Sequence, residues 1–454
     1  MKRKSRCLFR MLILCAAVVC TWITMSDPAV VRAGSLEGVE SGLLKQAAEN
    51  IERHRKGRAK LHFAAPDGSP ATVERVEIQQ TSHDFLLGCI AFDLVGRDIY
   101  KEDLYKKRFK DLFNFAVLPF YWGSYERRPG RPHWGDILEV VKWCKANGIA
   151  TKGHPLVWTH RAGTPNWLSK YPLDVTEEML KSRVMRIVDG YSGEIEVWDV
   201  VNEPVHTRTW LHPDKRNYTQ ESVEDMADYV EKAFRWAHKG NPETTLMLND
   251  FALIPDESAR RRYVALVTEL KSRGVPVSGL GLQAHEPRQE WFSPKETWET
   301  LNKLGKLGYP LHVTEFTPQS SGKKITGGWR EGKWTPENQA DFAEQLCRLA
   351  FGHPDVVSFT FWGLSDRRIW LEKGGLITEE YEPKPVYERM HELFQEEWHT
   401  ALTLDGLPED GPVSFRGFYG DYRITVSTAD GRTQTFQRHL KKGAKNSWTI
   451  SLSE

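Results

Sequence analysis

Eight times along the chain, a short apolar or β-branched run is followed by a longer amphipathic stretch, and this alternation limits the fold more than any other feature. The strand candidates are 85–92, 113–120, 149–158, 194–203, 245–251, 279–285, 311–316 and 356–364. Several are nearly continuous apolar segments, the pattern of parallel strands covered on both faces. The helical stretches are 103–112, 135–147, 176–190, 222–239, 256–273, 293–307, 335–351 and 384–398. Ser293-Pro294-Lys295-Glu296 and Thr335-Pro336-Glu337 carry helix-start chemistry, and Asn147-Gly148 and Arg273-Gly274 carry stops. Eight such units within 454 residues match a (β/α)8 TIM barrel, an α/β fold. The alternative, an open doubly wound sheet, usually carries a glycine-rich phosphate turn after an early strand, and no such turn occurs.

The flanks obey different patterns. Lys2, Arg3, Lys4, Arg6 and Arg10 precede an apolar run from Met11 to Met25, and Val31-Arg32-Ala33 offers small residues for cleavage before Gly34. Residues 1–33 therefore read as a signal peptide, with an uncleaved anchor as the alternative, and the protein is expected to be secreted to an extracellular or periplasmic location. Residues 34–82 read as a helix plus a β-hairpin around Pro66-Asp67-Gly68. Residues 83–398 are expected to form the barrel, and 399–454 a β-rich segment with alternation at Tyr422, Ile424 and Val426. No Pro/Ser/Thr-rich linker separates the flanks from the barrel, so both are expected to build one small accessory β-module packed on it.

Composition removes several classes of function. The formal net charge is +1, so bulk charge does not recruit nucleic acid. Cys89, Cys144 and Cys347 remain after the leader; they are far apart and odd in number, which suits small buried apolar residues rather than a disulfide framework or a zinc site. No metal and no cofactor is expected. Seventeen tryptophans leave two uses open, core packing and stacking on sugar faces.

A barrel of this kind carries its active site at the C-terminal ends of its strands. Those ends read Gly88, Phe120, His154, Asn202-Glu203, Asn249-Asp250, Gln283 with His285, Glu315 and Trp362. Two glutamates among amides, histidines and tryptophan suit retaining glycoside hydrolysis, in which one carboxylic acid protonates the leaving oxygen and a carboxylate attacks the anomeric carbon. A lone strand-end glutamate is more often structural, and each Trp or His could belong to the core. Two glutamates in this company outweigh that reading.

These residues also carry a resemblance. Trp198-Asp199-Val200-Val201-Asn202-Glu203-Pro204 resembles the acid/base motif of glycoside hydrolase family 10, the endo-β-1,4-xylanase family, and Val313-Thr314-Glu315-Phe316 resembles its nucleophile strand. Gly153–Trp158, Gly281–His285 and Phe361–Trp370 are similar to three further motifs in family order. The resemblance implies an endo-1,4-β-xylanase-like glycoside hydrolase with Glu203 as acid/base and Glu315 as nucleophile. It implies that Asn202 contacts the 2-hydroxyl of the reacting sugar, that Gln283 and His285 support the nucleophile, and that His154, Trp158, Trp362 and Trp370 line the cleavage subsite. The partner would be a polysaccharide or oligosaccharide, the protein a monomer, free of membrane once the leader is cut. Three departures stand out. The family's Glu-Asn-x-x-Lys-Trp run is replaced by Val117-Leu118-Pro119-Phe120-Tyr121-Trp122. Thr317 stands where the family places Asp, and Thr159 where it places His. These changes bear on which β-glycan is accepted. A different or decorated β-glycan, or a glycan-binding protein without turnover, are the competing readings.

Overall fold

The computed structural model describes residues 39–96, 103–207, 222–285, 290–328, 330–407 and 411–453. The expected leader, residues 1–33, lies outside them. Eight parallel strands close into a barrel: β3 (Leu86–Ile90), β4 (Phe115–Pro119), β5 (Ala150–His154), β6 (Val197–Asn202), β7 (Thr245–Asp250), β8 (Gly279–Gln283), β9 (Leu311–Phe316) and β10 (Val356–Phe361), with β10 returning to β3. Every residue of β6, β8 and β9 is buried, because one face lines the barrel interior and the other meets the surrounding helices. The anticipated α/β barrel is therefore present, each strand core lying inside the apolar run read from sequence.

Local chemistry sets the element ends. Ser222, Asp256, Ser293 and Thr335 each cap a helix by accepting a backbone N–H of its first turn, and Pro294 and Pro336 occupy first helical positions. Strand β5 stops at His154, four residues short of the apolar run, because Pro155 offers no N–H to the ladder. Pairing resumes at Leu156 and Val157, whose N–H groups donate to the Asp199 and Val200 carbonyls, each at 2.9 Å. The closing helix is also shorter than its pattern: Pro385–Glu392 is α-helical, and Leu393–Glu397 widens into a π-turn.

The flanks build a two-sheet sandwich. Strand β1 (Lys56–Ala64) lies between β12 (Val413–Phe418) and β15 (Ser447–Ser451). Strand β2 (Arg75–Gln80) lies between β11 (Ala401–Asp405) and β13 (Gly420–Ser427), with β14 (Thr433–Leu440) at the edge. This corrects the expected N-terminal hairpin. The turn does begin as one, with a single antiparallel bridge from Ala64 to Pro70, but β1 and β2 then part into different sheets. The apolar faces of the inner strands meet across the sandwich, where Leu61 and Phe63 share a core with Val76, Ile78, Ile424 and Ile450. A hairpin alone would leave that surface in water.

The sandwich is seated on the barrel. Phe418 of β12 belongs to the barrel's core cluster, and the buried Arg55 donates to the carbonyls of Phe351, His353 and Val356, each at 2.6 Å. The helix Val39–Arg55 lies against the barrel helices Pro294–Gly305 and Pro336–Gly352, with Ala47, Trp298 and Leu349 between them. Cys89, Cys144 and Cys347 are buried free thiols.

Candidate active site

Glu203 leaves β6 in a strained conformation. Its φ is +57°, the left-handed region that L side chains rarely adopt, and its N–H donates to the Asn249 carbonyl at 2.7 Å. A register shift between Asp199 and Val201 against β7 precedes this bend. After it, the Glu203 carbonyl accepts from the Thr207 N–H at 2.8 Å and hydroxyl at 2.7 Å. Bulge and bend together turn the carboxyl away from the ladder and toward the barrel mouth. Its Oε2 accepts from Trp158 Nε1 at 2.9 Å and its Oε1 from Gln283 Nε2 at 3.1 Å.

Glu315, on β9, is 4% exposed. Its Oε1 accepts from Asn249 Nδ2 at 2.8 Å, and the same amide group donates to Asn202 Oδ1 at 2.8 Å. Thr314 donates to Asn249 Oδ1 at 2.6 Å and so fixes which way that amide points. Gln283 reaches Asn202 Oδ1 at 3.5 Å as well as Glu203. Neutral amides thus run from one carboxyl to the other. The close approach depends on Gly281: a Cβ there would overlap Asn249 Oδ1 and Thr314.

Around this pair the remaining expected residues take definite places. His154 lies edge-on to Trp362, ring centroids 4.9 Å apart, and its Nε2 is 3.9 Å from Glu315 Oε1. His285 Nε2 meets Gln283 Oε1 at 3.0 Å and lies 3.7 Å from Glu315 Oε2. Its Nδ1 contacts the Thr317 hydroxyl at 3.3 Å, which also accepts from Trp370 Nε1 at 3.2 Å. With Gln283 donating through nitrogen, its oxygen must accept, so His285 carries its proton on Nε2 and Thr317 donates to Nδ1. Thr317 therefore still orients His285 where an Asp was expected. Gln283 donates directly to Glu203 and reaches Glu315 through His285 on one side and through Asn202 and Asn249 on the other. Trp362 is almost fully buried, whereas Trp370 is 42% exposed.

The altered end of β4 also reads differently in three dimensions. Phe120 is wholly buried against Trp198, and Trp122 is buried with its N–H on Glu126 at 3.1 Å. Tyr121 is the member of that trio that faces the cleft, edge-on to His154 at 5.4 Å and tilted against Trp158 at 5.7 Å. Phe92 closes this side, 5.9 Å from Tyr121 and 5.6 Å from Trp362. Phe92, Thr314 and Lys152 were not singled out from the sequence, and Asn249 was marked as a strand end without a role. Lys152 had a signal, since it sits two residues before His154 and a strand's period of two places both on one face.

Electrostatics bind the site together. Burial pushes Glu203 up to about 7, with Asp250 adding to the rise and the Gln283 and Trp158 hydrogen bonds opposing it. Burial also raises Glu315, and the Glu203 charge raises it further, against the pull of Lys152 and the Asn249 amide. Two carboxyls placed this way favour holding one proton between them. Burial alone would raise Asp199, but Lys152 and His154 outweigh it and hold that carboxyl at about 2. The Tyr121 phenol is raised by burial and then by the Glu315 and Glu203 charges, which it faces.

A model of glycosyl hydrolase family 10 matches residues 95–393, more than half of the chain. The chain belongs to that family. Endo-1,4-beta-xylanase 2 of Arabidopsis thaliana is 27% identical over 390 residues, covering 84% of this chain and 33% of the relative. Anti-sigma-I factor RsgI6 of Acetivibrio thermocellus is 27% identical over 408 residues, covering 88% of this chain and 49% of that protein. A beta-1,4-xylanase of Dictyoglomus thermophilum is 30% identical over 275 residues, 60% of this chain and 75% of its own. The chain thus spans a third to a half of the curated relatives that match it along most of its length. Among solved structures, native xylanase 10B from Thermotoga maritima superposes with a TM-score of 0.56 at 24% identity, covering 69% of this chain and 96% of the other. That likeness carries the barrel fold of family 10.

Proposed function

We propose that the protein is a secreted, retaining glycoside hydrolase that cleaves internal β-1,4 linkages of xylan or a related β-glycan by double displacement. The observation that carries this reading is the pair Glu203, half-buried, and Glu315, buried, at the barrel mouth and joined by Asn202, Asn249 and Gln283. In the first step Glu315 attacks the anomeric carbon while Glu203 gives its proton to the departing glycosidic oxygen, leaving a glycosyl ester on Glu315. In the second, Glu203 takes a proton from water, whose oxygen displaces Glu315 and returns the original anomeric configuration. The shared proton must therefore rest on Glu203 when the substrate binds. Asn202, its carbonyl oxygen already engaged, offers its NH2 to a sugar hydroxyl. Trp362 and Trp158 wall the reacting sugar, and Trp370 covers it from the exposed side. Family membership and the named xylanases among the relatives support the substrate class, and the basic-then-apolar leader supports export.

Tyr121 and Phe92 favour a second reading of the substrate. Tyr121 puts an aromatic ring and one phenol where the family pattern has charged and amide hydrogen-bonding groups, with Phe92 packed beside it, so a decorated or different β-glycan fits that side as well as plain xylan. Reducing-sugar release across a panel of unsubstituted xylan, substituted xylans, mixed-linkage glucan and cellulose tests both. Release from xylan-type polymers supports the proposal, preference for a substituted or mixed polymer favours the second reading, and release from none rejects hydrolysis.

A further inference from the structure

Beneath the paired glutamates lies a charged side chain that the reaction above does not use. Lys152 is 1% exposed and Asp199 is wholly buried; Lys152 Nζ lies 2.8 Å from Asp199 Oδ2. The same Asp199 oxygen contacts His154 Nδ1 at 2.7 Å, and His154 Nε2 points on toward Glu315 Oε1 at 3.9 Å. One carboxylate oxygen therefore serves two groups, and a line of contacts runs from an ammonium to the candidate nucleophile.

We propose that Lys152 is a positioning residue for this site: it places its Nζ against Asp199 beneath Glu315 and, by balancing Asp199, keeps His154 a neutral imidazole with its proton on Nδ1. The inference rests on the reading of Glu315 as nucleophile for its kinetic consequence, but its protonation statement stands on geometry alone. Asp199 is a bare acceptor, so His154 Nδ1 must donate to it. An isolated buried carboxylate would also draw a second proton onto the imidazole, because a buried charge left uncompensated is costly. Lys152 removes that demand. A protonating His154 would instead add a pH-dependent charge beside Glu315.

The titratable groups facing this line are few. Glu203 after β6, His285 after β8 and the Tyr121 phenol after β4 face Glu315, and His312 on β9, hydrogen-bonded to Ser358 at 2.8 Å, faces Lys152. Burial lowers His154 and Lys152 adds to that, while Asp199 opposes.

The test is 15N NMR of histidine-labelled protein between about pH 5 and 8, read beside the pH profile of kcat/KM on an aryl xyloside. In the wild type, His154 is expected to stay neutral and Nδ1-protonated throughout. In Lys152→Met it should titrate within that window, and the kcat/KM profile should gain one further ionisation. Lys152→Arg should restore the wild-type profile. A purely structural lysine would lower the melting temperature and leave both the titration and the profile shape unchanged. An imidazolium at His154 across the window in the wild type, or a folded Lys152→Met with His154 neutral at about pH 5 and an unchanged profile, overturns the proposal. If Lys152→Met does not fold, the same two readings are taken on Lys152→Gln, which keeps a hydrogen-bond donor for Asp199 but removes the charge. Absence of turnover in the wild type would reject the hydrolase reading and leave the NMR result standing.

Discussion

Two glutamates of one chemical type are assigned opposite roles, and their surroundings make separate experiments possible. Glu203→Ala should lower kcat/KM on xylan by about 10²–10⁴-fold, the usual contribution of a general acid, and far less on aryl glycosides whose leaving group needs no proton. Equal losses on both substrates would remove Glu203 from that role. Its pH dependence follows from burial. With the carboxyl pushed up to about 7, the acid form is lost as pH rises through about 7, so kcat/KM should fall on the alkaline side there. The stability consequence has the same origin. A carboxyl raised in the folded state costs nothing below the unfolded value near 4.5. It destabilises increasingly as pH climbs toward about 7, and fully above that. Glu203→Gln should therefore be more stable than wild type at about pH 8, by on the order of 2 kcal/mol, and little changed near pH 4. Thermal melts at the two pH values check it, and a stabilisation equal at both would contradict it.

At the scale of elements, the eight strands and the cleft motifs were legible because each is local. An apolar run ended by Asn202-Glu203 or by Glu315 announces both a buried strand and a polar mouth. The partners of β1 and β2 were not legible, since β1 pairs with β12 and β15, more than 350 residues away in the chain; alternation reveals a strand but not its neighbour. Phe120 and Trp122 looked like cleft residues for a related reason: consecutive aromatics point to different sides, and only the bend after Pro119 decides which side faces the sugar. Gly281 shows how tightly β7, β8 and β9 are fitted. Gly281→Ala would push Asn249 off Glu315 and Asn202 and should cost about 1–3 kcal/mol of stability, as overpacking does. Activity should fall further than stability explains. Urea denaturation with kcat/KM measured at a temperature where the variant is folded separates the two, and wild-type activity in the folded variant would refute the bridging role of Asn249.

As a whole, the molecule joins a barrel to a sandwich in which strands β1 and β2 precede the barrel while their partners follow it. Removal of residues 399–454 would strip both strands of hydrogen-bonding partners and open the shared core. Phe418→Ala is a gentler probe: Phe418 lies in the barrel cluster, with Lys56 Nζ 4.5 Å from its ring centre, and its loss should cost about 3–5 kcal/mol. Barrel and sandwich should still unfold in one transition, seen alike by tryptophan fluorescence and far-UV circular dichroism; two separated transitions would mean that the sandwich is not part of the barrel's cooperative unit. The central claim, a double displacement at Glu315, is tested most directly by mass spectrometry of the protein after incubation with an activated 2-deoxy-2-fluoro-xylobioside. The account predicts one added glycosyl mass, loss of turnover in step with labelling, and an adduct mapped by peptide digestion to Glu315. An unlabelled protein that still turns over the natural linkage, or a label on any other residue, would contradict it.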